Sequence, residues 1–435
     1  MKDKSQNQKH LYTNSRAVKS NLTEDSSVNR WYRLIMGFNA TLVNYLIDSL
    51  SIEKHHLVLD PFCGSGTTLV ECKKKGIPSL GIDANPVCVF ASQVKTNWRI
   101  SPASVTALAP ALISRAKSLL DHNNISQHPT FRQLSDSGMI DRGWISAHKA
   151  KKLISLLSAI DTICTSQAHK DFFRLALVSA TVRQIADIKF GPELYCLRRP
   201  KRLHVFPSFL KMTNSMIDDL ASVRGQENLT TESRVFLADS RNCAKLLSSR
   251  RVGLADFIIT SPPYPNEHDY TRSTRLELVL LGHIRSNKNL QQLKRSMIRC
   301  HTKGIYAGDN EQSLTEEFKQ VRKVALRLEK KAANRSDGFS RLYAKMIGEY
   351  FGGMTAHLIS AYRSLKPRGM CAYVVCDQQS LLGVYIDTPE ILKKIATSDA
   401  VGFKLVDAIK WKEGRGTTGN RILTEKILIF TKSDK

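Results

Sequence analysis

The chain of 435 residues sets 65 Lys+Arg against 39 Asp+Glu, a formal charge of +26; nucleic acid is the leading partner for such a field, an anionic membrane surface the competitor. No apolar run approaches the roughly 18 residues of a membrane span, and MKDKSQNQKH lacks the apolar core of a signal peptide, so a soluble cytoplasmic protein is expected. Nine cysteines without a CxxC pair fit neither a disulfide framework nor a zinc site, which predicts reduced, mostly buried thiols and no metal.

Residues 1–28 are polar and aperiodic and read as a mobile basic arm. From Trp31 the apolar residues Leu34, Ile35, Phe38, Leu42, Val43, Leu46, Ile47 and Leu50 recur at three and four, the spacing of an amphipathic helix. A strand, Leu57 to Asp60, then runs into DPFCGSGTTLVECKKKG. Gly64 and Gly66 permit a tight turn and a close backbone approach to a ligand, and Thr67 and Thr68 offer caps to the helix that ends near Gly76. The spacing FxGxG, beginning at Phe62, is neither GxGxxG nor a P-loop, so a dinucleotide or a triphosphate fits poorly. The next strand ends in Asp83, about 20 residues on, where a carboxylate can accept both hydroxyls of a ribose. A nucleoside cofactor follows.

Residues 101–230 carry the helical patterns ALISRAKSLL, KKLISLLSAI and FFRLALVSATV, then LRRPKRLHVF, where Arg198, Arg199, Lys201 and Arg202 surround Pro200. That strip suits a phosphate backbone, with a solvated basic loop as the alternative. SRVFLADS is a further strand ending in Asp239. After it, DFIITSPPYPNEHDYTR delivers Ser261, Pro262, Pro263 and Tyr264 to the carboxyl end of a buried strand, where open α/β sheets bind ligands. A hydroxyl, a proline carbonyl, a rigid turn and an aromatic face can hold a planar heterocycle by its amino group. Arg272 and Arg275 follow as candidate phosphate anchors. Residues 284–345 are rich in cations, with Lys319, Arg322, Lys323, Arg327, Lys330 and Lys331 on one predicted helix that lies against a duplex or in water. The core closes over 346–435 with a helix halted by Pro367 and Gly369, the strand MCAYVVCD and an antiparallel pair, joined by the basic loop KEGRGTTGNR over the site mouth.

DPFCGSGTTLVEC followed by GIDANP resembles the S-adenosylmethionine loop of amino-group DNA methyltransferases, and TSPPYPNEHDYTRSTRLEL resembles their catalytic loop in the version typical of cytosine-N4 enzymes. The resemblance spans residues 30–98, 233–282 and 345–432. It implies a Rossmann-like methyltransferase fold, α/β with a mostly parallel seven-stranded sheet, helices on both faces and largely helical insertions. The expected organisation is an arm (1–28), core pieces at 29–100, 231–283 and 346–435, and insertions at 101–230 and 284–345, either of which can hold target recognition. Asp60, Phe62, Gly64, Gly66, Thr67 and Asp83 are expected at the cofactor, and the resemblance alone puts Asp239 near its adenine. Double-stranded DNA is the implied substrate and a cognate restriction endonuclease a possible partner, on the nucleoid of a bacterial or archaeal cell. Cytosine-C5 chemistry is excluded, because Tyr264 stands where a nucleophilic cysteine is needed. Serine at position 261, where adenine-N6 enzymes usually carry Asp, favours cytosine. Adenine-N6 methylation, an RNA amino-group methyltransferase and an inactive nucleic-acid-binding subunit remain the alternatives.

Overall fold

The computed structural model describes residues 27–34, 37, 39–121, 123–190, 194–202, 204–224, 228–415 and 421–434. The expected N-terminal arm lies outside them except for its last two residues, which open a 3-10 turn, Ser27–Trp31. The helix expected from Trp31 is shorter than its apolar pattern: α1 is Ala40–Ser49, capped by the Asn39 side chain, which accepts from the Leu42 N–H. In chain order β1 (Val58–Asp60), α2 (Thr67–Lys74), β2 (Ser79–Asp83) and α3 (Pro86–Thr96) follow. The next stretch holds α4 (Pro102–Asp121), α5 (Pro129–Asp136), α6 (Ala147–Ile163), α7 (Gln167–Ala180), a hairpin of β3 (Ile188–Phe190) and β4 (Leu194–Cys196), and α8 (Val205–Arg224). The hairpin leaves no mark in the sequence pattern. Its strands are three residues long, too short for an alternating pattern to show.

Then come β5 (Ser233–Leu237), α9 (Cys243–Ser249), β6 (Ala255–Thr260), α10 (Tyr270–Ser273), α11 (Arg275–Leu280), α12 (Asn287–Arg295) and α13 (Lys319–Ala332). The chain closes with α14 (Tyr343–Ser364), β7 (Leu365–Cys376), α15 (Thr388–Ala396), β8 (Lys404–Arg415) and β9 (Ile422–Thr431). Among the described residues seven strands form one sheet in the order β5-β2-β1-β6-β7-β9-β8, parallel except for β9, which runs antiparallel to both neighbours. This is the Rossmann-like α/β fold that the resemblance implied. Of the loop expected at KEGRGTTGNR, residues 412–415 belong to β8 and residues 416–420 lie outside the described residues.

Side chains alternate across the strands. Cys371, Tyr373 and Val375 of β7 point to one layer with α9, α13, α14 and α15, whereas Ala372 and Val374 point to the other with α1. A third core joins α4, α6, α7 and α8 to α3 and to Leu276–Ile284, so the helical stretch shares its interior with the sheet's own helices. Seven of the nine cysteines are buried and all are unpaired. No described helix is long and apolar enough to cross a membrane.

Two buried polar contacts position the loops at the carboxyl edge. Asp60 accepts from the hydroxyls of Thr68 and Thr260 at 2.6 Å each, so Thr68, expected as a cap, instead ties α2 to β1. The helix begins at Gly66, whose φ of 83° lies in the left-handed region and whose side makes no cap bond. Beneath the glycine loop, the fully buried Lys95 donates to the Ser65 carbonyl at 2.7 Å and to the Tyr32 carbonyl at 3.0 Å. Lys95→Met would leave both carbonyls short of a donor, an expected loss of about 1–3 kcal/mol. Chemical denaturation together with titration of S-adenosylmethionine, the cofactor that the resemblance implies, checks this: both stability and affinity should drop, and unchanged values would mean that the loop holds itself.

Candidate active site

The loops leaving β1, β2, β5 and β6 open on a common cleft enclosing about 1150 Å³ of unfilled space, part of it continuous with solvent. Its walls include Phe62, Gly64 and Thr67 from the glycine loop, Asp83 from the end of β2, and Ser261, Pro262, Pro263 and Tyr264 from the end of β6. Two stretches nearly 200 residues apart thus face one cavity. They meet there because β1 and β6 are adjacent parallel strands and both loops leave at the same edge.

Gly64 and Asp83 are joined directly. The Gly64 N–H donates to Asp83 Oδ2 at 2.9 Å, and the Asn85 N–H donates to Oδ1 at 2.7 Å. Burial raises the Asp83 carboxyl to about 6 despite these donors. Asp60 behaves likewise: burial raises it to about 6 against the opposing bonds from Thr260, Thr68 and the Phe62 N–H. It is 1% exposed and stands behind the cleft wall, with its carboxylate taken up by the donors that hold the two loops in place. Asp239 is also set back. Its carboxylate accepts from the Arg241 guanidinium, which also pairs with Glu311, and Ser240 takes its place on the cleft wall.

In the SPPY segment the acceptors differ in their engagement. Tyr350 donates to the Pro263 carbonyl at 2.9 Å, whereas among the described residues no donor reaches the carbonyl of Pro262. Ser261 Oγ has the Tyr264 hydroxyl at 3.4 Å, a long contact. That hydroxyl also lies 3.4 Å from Glu425 Oε1 of β9, and burial, then the Glu425 charge, pushes it well above its ordinary range. Tyr264 is 7% exposed.

A further wall was not legible in the sequence: Lys294, Ser296–Cys300 and His301, from the basic stretch after α11, line the same cleft. The segment is laced to the catalytic loop. The Glu267 N–H donates to the Cys300 carbonyl at 3.1 Å, Thr302 N–H to Glu267 Oε2 at 2.9 Å, and Lys294 Nζ to Asp269 Oδ2 at 2.8 Å. Burial opposes ionisation of Asp269, but His301 and Lys294 hold it well below the usual carboxylate range. Burial lowers His301 to about 4, so its ring is neutral. The signal available was the mixture of apolar and polar residues in MIRCHTKG, which total charge obscured.

The cationic candidates stand apart from the cleft. Arg198, Arg199 and Arg202 are exposed, and Lys201 is half-buried with its backbone N–H on Asp187. They follow the β3–β4 hairpin, whose Leu194 carbonyl accepts from Arg272 at 3.3 Å, so the strip adjoins the helix that leaves the catalytic loop. Arg275 donates to the Thr271 carbonyl and hydroxyl.

The family model for DNA methylases of the N6/N4 class matches residues 3–93, which include the glycine loop and Asp83. The Type II methyltransferase M.AvaI of Nostoc sp. is 25% identical over 418 residues, covering 91% of this chain and 83% of that protein. M.BsoBI of Geobacillus stearothermophilus is 24% identical over 441 residues, covering 94% and 85%. M.MvaI of Kocuria varians is 27% identical over 217 residues, covering 47% and 45%. A cleft holding the glycine loop, Asp83 and the SPPY segment suits a nucleoside cofactor beside an amino-group substrate, and together with these matches it supports an amino-group DNA methyltransferase of restriction-modification type, with S-adenosylmethionine as the cofactor that the similarity implies.

Proposed function

We propose that the chain methylates the N4 amino group of a cytosine turned out of double-stranded DNA, as the modification enzyme of a restriction-modification pair. The observation that carries this reading is the common cleft, in which the glycine loop and Asp83 face the two under-engaged acceptors of the SPPY segment. When bound, S-adenosylmethionine supplies an electrophilic methyl group on a positively charged sulfur. Phe62, Gly64 and Thr67 would cradle it, with Gly66 behind them against Ser92 turning the loop into α2, and Asp83 would accept the ribose hydroxyls.

The cytosine amino nitrogen is a weak nucleophile because its lone pair is delocalised into the ring. Ser261 Oγ and the Pro262 carbonyl accept its two hydrogens and draw that lone pair out, while Tyr264 supports the base by stacking. Holding nitrogen and methyl in line contributes about 7–11 kcal/mol of the barrier reduction in well-aligned systems. Turning out the base costs a few kcal/mol, which stacking partly offsets. Arg272, Arg275 and the strip Arg198, Arg199, Lys201 and Arg202 are assigned to the phosphates. A cognate endonuclease and a place on the nucleoid follow from the same reading.

Serine at position 261 supports cytosine over adenine, since a carboxylate is the stronger acceptor and the usual companion of adenine-N6 chemistry. Mass spectrometry of nucleosides from DNA, and separately from RNA, treated with the protein and labelled S-adenosylmethionine should reveal N4-methylcytosine in DNA. N6-methyladenine would overturn the base assignment, and label confined to RNA the substrate. Tyr264→Ala should leave cofactor affinity intact and lower turnover about 5- to 150-fold, the worth of about 1–3 kcal/mol of stacking. Unchanged turnover would remove Tyr264 from the mechanism.

Acid should weaken cofactor binding. Asp83 is raised to about 6, and its protonated form loses an acceptor for the ribose, so affinity should fall as pH drops below 6, by up to about tenfold per unit. Calorimetric titrations across pH 5–8 check this, with Asp83→Asn expected to flatten the profile. A profile that survives in Asp83→Asn would assign it to Asp60.

A further inference from the structure

Helix α13 turns Val321, Val324, Leu328 and Ala332 inward against the layer that contains α14. Its outer face carries Lys319, Arg322, Lys323, Arg327 and Lys330, with Leu326 54% exposed among them, and these six residues line one shallow open trough. The positions i, i+3, i+4, i+8 and i+11 keep the cations on one side of the helix. No salt bridge joins any of the five to a carboxylate among the described residues. Charged faces that serve only solubility mix both signs, with acids three or four residues from bases; α13 has Glu329 against six cations. Such a row repels itself unless an anion lies on it.

The face is held rigidly and at the relevant edge. Lys331, at the end of α13, donates to the Leu382 carbonyl at 3.0 Å, in the loop that follows the carboxyl end of β7. β7 runs parallel to β6, so this is the edge at which the SPPY segment leaves the sheet. From Lys319 to Lys330 the row is about 16 Å long at 1.5 Å per residue. A row of that length spans about five base-pair rises of a duplex at 3.4 Å of axis each.

We propose that this face of α13 is a docking surface for the sugar-phosphate backbone of the DNA duplex, a second anchor separate from the strip after the β3–β4 hairpin. The inference rests on the DNA-methylating function proposed above. Lys and Arg side chains, free to swing on an exposed helix, bind phosphates without reading bases, and Leu326 offers an apolar contact to the sugars. The surface therefore strengthens binding to every sequence alike.

The test compares two full-length variants of equal charge change, Arg322→Gln/Arg327→Gln on α13 and Lys393→Gln/Lys394→Gln on α15. Binding of a random-sequence duplex of about 30 base pairs is measured between 50 and 200 mM salt, the range over which phosphate contacts register. The α13 variant should bind more weakly, with the slope of log affinity against log salt shallower by roughly 2, while the α15 variant stays close to the parent. Thermal unfolding and S-adenosylmethionine affinity should be the same in all three proteins. An unchanged slope in the α13 variant, or equal loss in both variants, would overturn the proposal. So would intact duplex binding alongside lost binding to phosphatidylserine vesicles, which would assign the face to a membrane. Failure of the parent protein to methylate DNA is a separate result that would overturn the functional reading itself.

Discussion

Asp60 ties the two halves of the site to each other. Its carboxylate accepts from Thr260, the last residue of β6 before the SPPY segment, from Thr68 at the start of α2, and from the Phe62 N–H inside the glycine loop. A buried carboxylate is costly unless fully hydrogen-bonded, and here three donors share that cost. The geometry they impose is that the cofactor loop and the catalytic strand cannot shift independently. A one-residue slip between β1 and β6 would break the Asp60–Thr260 bond and turn the strand's apolar residues to the wrong layers.

Around this anchor the cleft is assembled from unequal pieces. The floor comes from strand ends, which the sheet fixes, whereas the far wall, Lys294 to His301, comes from a stretch with little regular structure. That wall owes its order to polar contacts with Glu267 and Asp269, including a buried Lys294–Asp269 pair. An ionised Asp269 beside a neutral His301 gives the wall a fixed charge arrangement near neutral pH. Removing one partner of such a pair leaves a charge buried alone, so the wall tolerates little change.

The strands of the sheet, the glycine turn and the catalytic tetrapeptide were readable from the sequence because each depends on local chemistry: β-branched runs, glycine freedom, proline's missing donor. The helical character of residues 101–224 was readable from its period. What could not be read is what depends on distant partners. Asp60 and Asp239 are expected at the cofactor, the latter from the resemblance alone, yet Thr260 and Arg241, far away or on the next turn, engage their carboxylates. The helix expected from Trp31 begins only at Ala40 for a similar reason: Val28, Trp31 and Tyr32 are buried in the core shared with α7 and α8, where contact decides conformation over local pattern. The 294–304 wall has no periodicity at all.

The adjacency of β1 and β6 also has a meaning in time. Asp60 and Thr260 are 200 residues apart along the chain, and everything between them must be synthesised before the central pairing of the sheet can form. At about 5–20 residues per second that interval is roughly 10–40 s. During it β1 and β2 exist with one side of β1 unpaired, an edge that invites wrong partners. The helices of residues 102–224, rich in local contacts and emerging in this interval, are placed to fold first and to bury α3 against themselves, sheltering the nascent half-sheet until its partner strand arrives.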